Sequence, residues 1–216
     1  MTARRAAEIK LDILASLKSV SDSPLAAIGF KRPTKGFCYS RKVNLAEHKI
    51  FIRVDYHPKL DRGAEVQFKP YMCLQMDAVS RVALELAGGN EFLLAGCPEI
   101  ITNQPVDFVA PKEMFVRWFA TGTTEMAECI QQITDFAKCW VIPFLDQLKS
   151  PEDLIKIYTE NDTRMIKQHH WYIFIAAAYL VIGKPNKAME VLEAKLGSTG
   201  LRKDFAVVFD SVRKAI

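Results

Sequence analysis

The chain has 216 residues, half of them hydrophobic and a quarter charged, with a formal net charge of +4. This composition supports a sizeable core, in one large domain or two small ones, and argues against a disordered chain. No run reaches the roughly 18 apolar residues of a membrane span, and Glu8, Lys10 and Asp12 interrupt the apolar region a signal peptide needs, so a cytoplasmic location is expected.

The stripe Ile9, Ile13, Leu17 and Val20 predicts a helix over residues 3–20, ended by residues 21–24. A first strand is expected at 37–43, with a hairpin connection at 44–47. Residues 48–57 place Ile50, Ile52, Val54 and Tyr56 on one parity and Lys49, Arg53, Asp55 and His57 on the other, with Phe51 the exception. Residues 65–76 alternate likewise, with Val66, Phe68, Met72, Leu74 and Met76 on one side. Period two marks strands with one buried face. Pro70 cannot donate to a ladder, so this strand is expected at an edge or with a bulge.

Residues 77–86 either continue that strand or form a short helix, the reading that Val79, Val82, Ala83 and Leu86 suit, and Gly88-Gly89-Asn90 breaks the pattern. Residues 92–95 and 106–109 are candidate short strands. A long helix is expected over 124–148, capped by Thr124, with Ile130, Ile133, Ala137, Trp140, Val141 and Phe144 as its stripe and a kink at Pro143. Ser150-Pro151 caps the next helix, and 165–182, 187–196 and 203–215 complete a helical half. Ala176, Tyr179, Gly183, Ala188 and Leu192 are similar in spacing to one tetratricopeptide repeat, but with no second copy residues 171–196 read as a lone helical hairpin. The expected fold is α+β: an N-terminal helix on a small antiparallel sheet, followed by a helical C-terminal half. Residues 1–122 form the sheet region and 123–216 a helical region packed on it as one compact unit.

Charge divides along the chain. Residues 30–69 hold ten Lys/Arg against four Asp/Glu, whereas 70–163 hold six against fourteen. Such a division concerns partners and steering. The five cysteines form no CxxC pair and lie in apolar surroundings, so they are expected reduced and buried. His48 and His57 point to opposite faces of their strand, and His169-His170 do not converge, so no metal site is expected. Gly96-Cys97-Pro98 reads as a turn with a packed thiol rather than as a nucleophile. Glu125 and Glu128 suit the start of a helix dipole. Neither GxxxxGK[ST] nor GxGxxG occurs, and no cofactor is expected. Of the aromatics in the basic stretch (Phe37, Tyr39, Phe51, Tyr56, Phe68, Tyr71), only Phe51 and Tyr71 fall on the polar sheet face, where a base could stack.

Two stretches carry a family resemblance. Gly29-Phe30-Lys31-Arg32 is followed by Phe37-Cys38-Tyr39-Ser40-Arg41. Later come Trp118, Ile133, Ile142-Pro143-Phe144-Leu145 and Ser150-Pro151-Glu152-Asp153-Leu154. Over about residues 3–158 these resemble an uncharacterised bacterial domain family with a G-F-K-R opening and a long helix ending in P-F-L. The extra C-terminal helices and residues 77–111 depart from that pattern. The resemblance implies a role shared by some members, which are encoded beside secreted or contact-delivered toxins and are thought to act as immunity proteins. It carries over no catalytic residue.

The expected function is therefore a cytoplasmic protein-binding module, not an enzyme, that neutralises a toxin by stoichiometric occlusion. The expected contacts are Glu125, Glu128, Asp135, Glu152 and Asp153 facing a basic toxin, or Lys49, Phe51 and Arg53 on the open sheet face. The alternative is a nucleic-acid-binding protein using the basic sheet. A third class, an enzyme, would bring His169 or Cys97 beside a carboxylate in a deep cleft.

Overall fold

The structure is a computed structural model that describes residues 4–61, 63–114 and 116–216; the helix start expected at residue 3 lies outside them. The chain opens with α1 (Ala6–Ser16), which passes through a π-helical turn (Leu17–Ser21) into α2 (Asp22–Ala26). Strands β1 (Cys38–Val43), β2 (Ala46–Tyr56) and β3 (Val66–Gln75) follow, then α3 (Asp77–Leu86), β4 (Thr102–Pro105) and β5 (Trp118–Ala120). The remainder is helical: α4 (Thr123–Phe136), a second π turn (Ala137–Val141), α5 (Ile142–Leu145), α6 (Pro151–Thr159), α7 (His169–Val181), α8 (Pro185–Leu196), α9 (Thr199–Asp204) and α10 (Ala206–Arg213). This is the expected α+β class, with an N-terminal helix, an antiparallel sheet and a helical C-terminal half. The sheet runs β1-β2-β3-β4, with β5 paired to β3 as well.

Two compact units interleave along the chain, and both draw on residues before and after position 122. One comprises the described residues up to Arg41, His48–Met72 and Gln104–Phe144. In it α4 packs on α1, on the first π turn and on β5. Ile9, Ile13 and Leu17 are fully buried, as their spacing predicts. After Leu17 the pattern departs from expectation. The helix does not end at 21–24 but runs on to Ala26, and Ser21 is buried where Val20 was expected. The π turn explains both. Asp22 N–H reaches back five residues to the Leu17 carbonyl, so one extra residue enters the turn and the phase shifts. The same device precedes Pro143, where Ile142 N–H reaches the Ala137 carbonyl; Val141 is buried as expected, while Trp140, expected on the same stripe, is only half-buried. Thr134 donates its hydroxyl to the Ile130 carbonyl at 2.8 Å, so in the buried 2.6 Å pair the Ser21 hydroxyl is the donor to Thr134 Oγ1. The N-cap of α4 is Gly122, not Thr124.

The motif Gly29-Phe30-Lys31-Arg32 is structural. The Arg32 guanidinium grips Asp22 with two hydrogen bonds, 2.8 Å from Nε and 2.7 Å from Nη2. Its Nη1 donates to the Gly36 carbonyl at 2.9 Å, and the Tyr39 hydroxyl donates to Asp22 at 2.7 Å. One buried guanidinium thus ties α2, the 33–36 turn and β1 together. Burial opposes the Asp22 carboxylate, yet the Arg32 and Tyr39 hydrogen bonds outweigh it and hold its pKa below the ordinary value.

The second unit comprises Lys42–Glu47, Cys73–Asn103 and Leu145–Ile216. Its centre is α7, whose residues Ile173 to Ala178 are fully buried and which packs on α3, α6 and α8. Gly183, at φ 72°, closes α7 with Lys184 N–H donating to the Tyr179 carbonyl, a left-handed cap a side chain would strain. Ala188 and Leu192 seat α8 on it as the expected lone hairpin. Ser150 caps α6, its Oγ accepting from Asp153 N–H at 3.2 Å. The helix expected over 203–215 is broken at Phe205, and α7 starts at His169 rather than 165. Residues 91–94 and 106–109 are short 3-10 helices rather than strands, because their apolar residues turn inward singly: Leu94, Val106 and Val109 are buried while Phe92 and Phe108 are exposed.

Removing the Asp22 carboxylate leaves a buried guanidinium with one grip fewer. Asp22→Ala is expected to cost about 2 kcal/mol and Tyr39→Phe about 1 kcal/mol, measured by urea unfolding. Because the folded pKa of Asp22 is lowered, its contribution is present above the ordinary carboxylate pKa and lost as pH falls through the folded one. Asp22→Asn should flatten that acid limb of the stability curve.

Candidate functional site

On β2 and β3 the even-numbered residues Ile50, Ile52, Val66 and Phe68 are buried, which leaves the odd positions of β2 on the other sheet face. His57 N–H donates to the Glu65 carbonyl at 2.8 Å. The same register, continued along the pair, sets Phe51 opposite Tyr71. Their rings stack with centroids 5.3 Å apart and planes 11° apart. The sequence assigned both rings to this face by parity, and the fold brings them into contact. Lys69 pairs with Asp55, and Arg53 Nε lies 3.9 Å from the same carboxylate. Arg53 is 67% exposed, while Lys49, Phe51 and Tyr71 are half-buried. The expected trio Lys49, Phe51 and Arg53 therefore lies on one face of β2, joined there by Lys69 and Tyr71 from β3.

Pro70 gives this face its shape. β3 has β2 along one side and both β4 and β5 along the other, so it is not an edge strand. β5 pairs with Val66–Phe68, and further on the Leu74 carbonyl accepts from Ile101 N–H at 3.0 Å. Between these contacts sits Pro70, the residue with no N–H to offer a neighbour. Beside it lies a notch of about 220 Å³, lined by Gln67, Phe68, Lys69, Pro70, Tyr71, Pro105, Val106, Asp107, Val116, Arg117 and Trp118. Lys69 and Tyr71 thus belong both to the aromatic face and to the notch. Val116 is 39% exposed at its rim. Trp118 is buried, meets Phe136 edge-on at 5.7 Å, and its indole N–H makes no hydrogen bond. Sequence reasoning missed the notch, because β4 and β5 are only four and three residues long and carry no periodic signal.

The five expected acidic contacts divide between the two units. Glu125, Glu128 and Asp135 lie on α4 in the first unit, whereas Glu152 and Asp153 lie on α6 in the second. Glu125 accepts from both the N–H and the hydroxyl of Thr121, each at 2.7 Å, which holds its pKa down. Asp135 accepts from Gln131, and Asp153 from Lys149 N–H and the Ser150 hydroxyl. Two of these carboxylates are thus engaged at helix starts, while Glu128 and Glu152 are exposed. The cysteines also depart from expectation: Cys73 and Cys129 are buried, but Cys97 and Cys139 are exposed. Cys97 follows the left-handed Ala95-Gly96 turn, which swings it outward. Burial, with help from Glu125 and Glu128, pushes the Cys129 thiol up to about 11.

In the second unit, Cys97 and His170 line one cavity of about 220 Å³ with Thr102, Asn103, Ile166 and Gln168. Ala95, Gln168 and His170 also line a wider depression of about 540 Å³ with Phe92, Lys167, His169 and Phe205. The sequence could not show that Cys97 and His170 line the same cavity. Neither lining includes a carboxylate among the described residues, so the acid partner that the enzyme reading calls for is not part of these cavities. No group of three His, Cys, Asp or Glu among the described residues is placed to hold a metal ion. No helix is long and apolar enough to cross a membrane. No protein-family model, no curated protein and no solved structure matches the chain.

A double-mutant cycle on Phe51→Ala and Tyr71→Ala should return a coupling of about 0.5–1.5 kcal/mol in urea unfolding. Burial, then the neighbouring His169 charge, lowers the His170 pKa. An NMR titration should place His170 below the ordinary imidazole value, and His169→Asn should raise it. The neutral form is the native one, so this contribution is lost as pH falls through the folded pKa.

Proposed function

We propose that the chain is a protein-binding module that acts in the cytoplasm as an immunity protein, neutralising a bacterial toxin by stoichiometric binding and occlusion. The observation that carries this reading is the Phe51–Tyr71 stack, half-buried on an open sheet face and framed by Lys49, Arg53 and Lys69. Aromatic anchors ringed by charge are the elements from which protein interfaces draw affinity and on-rate. The resemblance of Gly29–Arg32 and of residues 142–154 to a family with immunity members supports the same reading. Arg32 spans α2, the following turn and β1, which suits a rigid scaffold. Occlusion needs such a pre-shaped exterior and no reaction centre, so no reaction is assigned.

The second reading, single-stranded nucleic acid on the same basic face, is favoured by the aromatic pair alone. Its two rings already cover one another, which leaves less ring surface for bases.

The test is co-expression with the product of the neighbouring gene. The complex should co-purify at one-to-one stoichiometry and restore growth, and Phe51→Ala combined with Arg53→Glu should weaken binding at least tenfold with the fold unchanged by circular dichroism. Failure of the wild-type chain to bind or to rescue growth refutes the reading. An affinity for oligo(dT) that falls steeply with salt would favour the second one.

A further inference from the structure

We propose that the paired cavities at the start of α7 bind a small aromatic carboxylate, with its ring in the smaller cavity and its carboxylate toward Lys167 and His169. The site lies wholly within the second unit, whereas the Phe51–Tyr71 stack belongs to the first. The inference therefore goes beyond the protein-binding reading and does not rest on it.

The two cavities share Ala95, Gln168 and His170 and are therefore neighbours. The smaller, of about 220 Å³, has apolar walls formed by Leu94, Ile100, Ile101 and Ile166, and Leu94 and Ile101 are buried. An apolar cavity of roughly 150 Å³ holds benzene, so this one suits a six-membered ring with a short substituent. The wider depression, of about 540 Å³, carries the charge: Lys167 and His169 line it, and neither cavity is lined by a carboxylate among the described residues. The Lys167 ammonium donates to the neutral Asn161 Oδ1 at 2.7 Å, which leaves two of its three N–H groups for a ligand. Burial lowers the Lys167 pKa, and the charge of Lys195 adds to this against the pull of Asp162. That acid is already held by Arg164, whose Nη2 donates to it at 2.6 Å. A carboxylate seated beside Lys167 offsets the burial. His170 lines both cavities, and its half-buried imidazole makes no hydrogen bond, a cost that a ligand oxygen removes. Gln168 precedes α7 without capping it through its side chain, so its amide is also spare at the junction of the two cavities. Phe92, almost fully exposed, gives the depression apolar surface that a ligand would cover.

The probe is phenylacetate, titrated into the isotope-labelled full chain and followed by NMR. The methyl resonances of Leu94, Ile101 and Ile166 should move by ring current, together with the Gln168 side-chain amide. Half-saturation is expected near about 1 mM, in keeping with a ligand of about ten non-hydrogen atoms. Lys167→Gln should weaken binding about tenfold, the scale of one charge-assisted hydrogen bond. The neutral amide of phenylacetate should lose about as much, and acetate and phenethylammonium should leave the methyls unmoved. Cysteine chemistry supplies an independent reading, because Cys97 is exposed in the smaller cavity while Cys139 is exposed in the first unit. Phenylacetate at about four times its Kd should slow alkylation of Cys97 by N-ethylmaleimide about fivefold, the drop in free sites that mass action sets, and leave Cys139 unchanged. Peptide mass mapping reads both rates. The proposal is overturned if the methyls stay still, if the amide or the ammonium analogue moves them equally, if Lys167→Gln binds as the wild type does, or if Cys97 is not selectively protected. Failure of the chain to bind the product of the neighbouring gene refutes the immunity reading and leaves this titration to decide the cavities.

Discussion

A proline has no N–H, and in β3 that missing donor governs how the sheet is completed. β3 carries β2 along one side without interruption of the Phe51–Tyr71 register. Along the other side a single continuous neighbour would have met Pro70, and the chain uses two short strands instead, β4 and β5. The junction of the two short strands brings together an exposed valine, a buried indole donor and two cations. The site follows from a restriction on hydrogen bonding rather than from a loop evolved around it.

A second backbone restriction is handled differently. Pro24 and Pro143 each stand a few residues after a π turn. In a regular helix each would deprive a carbonyl one turn earlier of its donor and clash with it. The wider turn ahead of each proline reroutes the bonds, through Asp22 N–H to Leu17 and Ile142 N–H to Ala137, and both helices continue. The cost is a shift of phase. It puts the hydroxyl of Ser21 into the core, where Thr134 accepts its hydrogen bond. Without that partner a buried serine would be a liability, so the π turn of one helix and the threonine of another form one device.

Period-two alternation made β2 and β3 legible in the sequence almost to their ends, and the apolar face of α3 gave that helix to the residue. Parity also assigned Phe51 and Tyr71 to the open face. What the sequence left dark has a physical reason in each case. The π turns carry no local signal beyond a nearby proline, so Val20 and Trp140 were expected in the core and are only half-buried. Strands of three and four residues gain their stability from β3 rather than from their own pattern, so Thr102–Pro105 and Trp118–Ala120 stayed hidden while the more apolar 92–95 and 106–109 looked like strands. Counting carboxylates along the chain likewise could not reveal that Glu125 and Asp153 serve helix starts.

The two surfaces that the sequence offered a partner differ in the same physical terms. An acidic helix face is what a solvated helix shows by default, and here part of its charge already satisfies backbone donors at Thr121 and Lys149. The sheet face lacks such an internal explanation. Stacking Phe51 on Tyr71 leaves aromatic surface half in water beside cations, where two polar residues would have served the sheet as well. In a protein that buries Trp118, Phe136 and Phe144 efficiently, an aromatic pair kept outside is a feature the fold does not require. Its neighbour, the unfilled interval at Pro70, is another. The two features share Lys69 and Tyr71, and neither is demanded by folding.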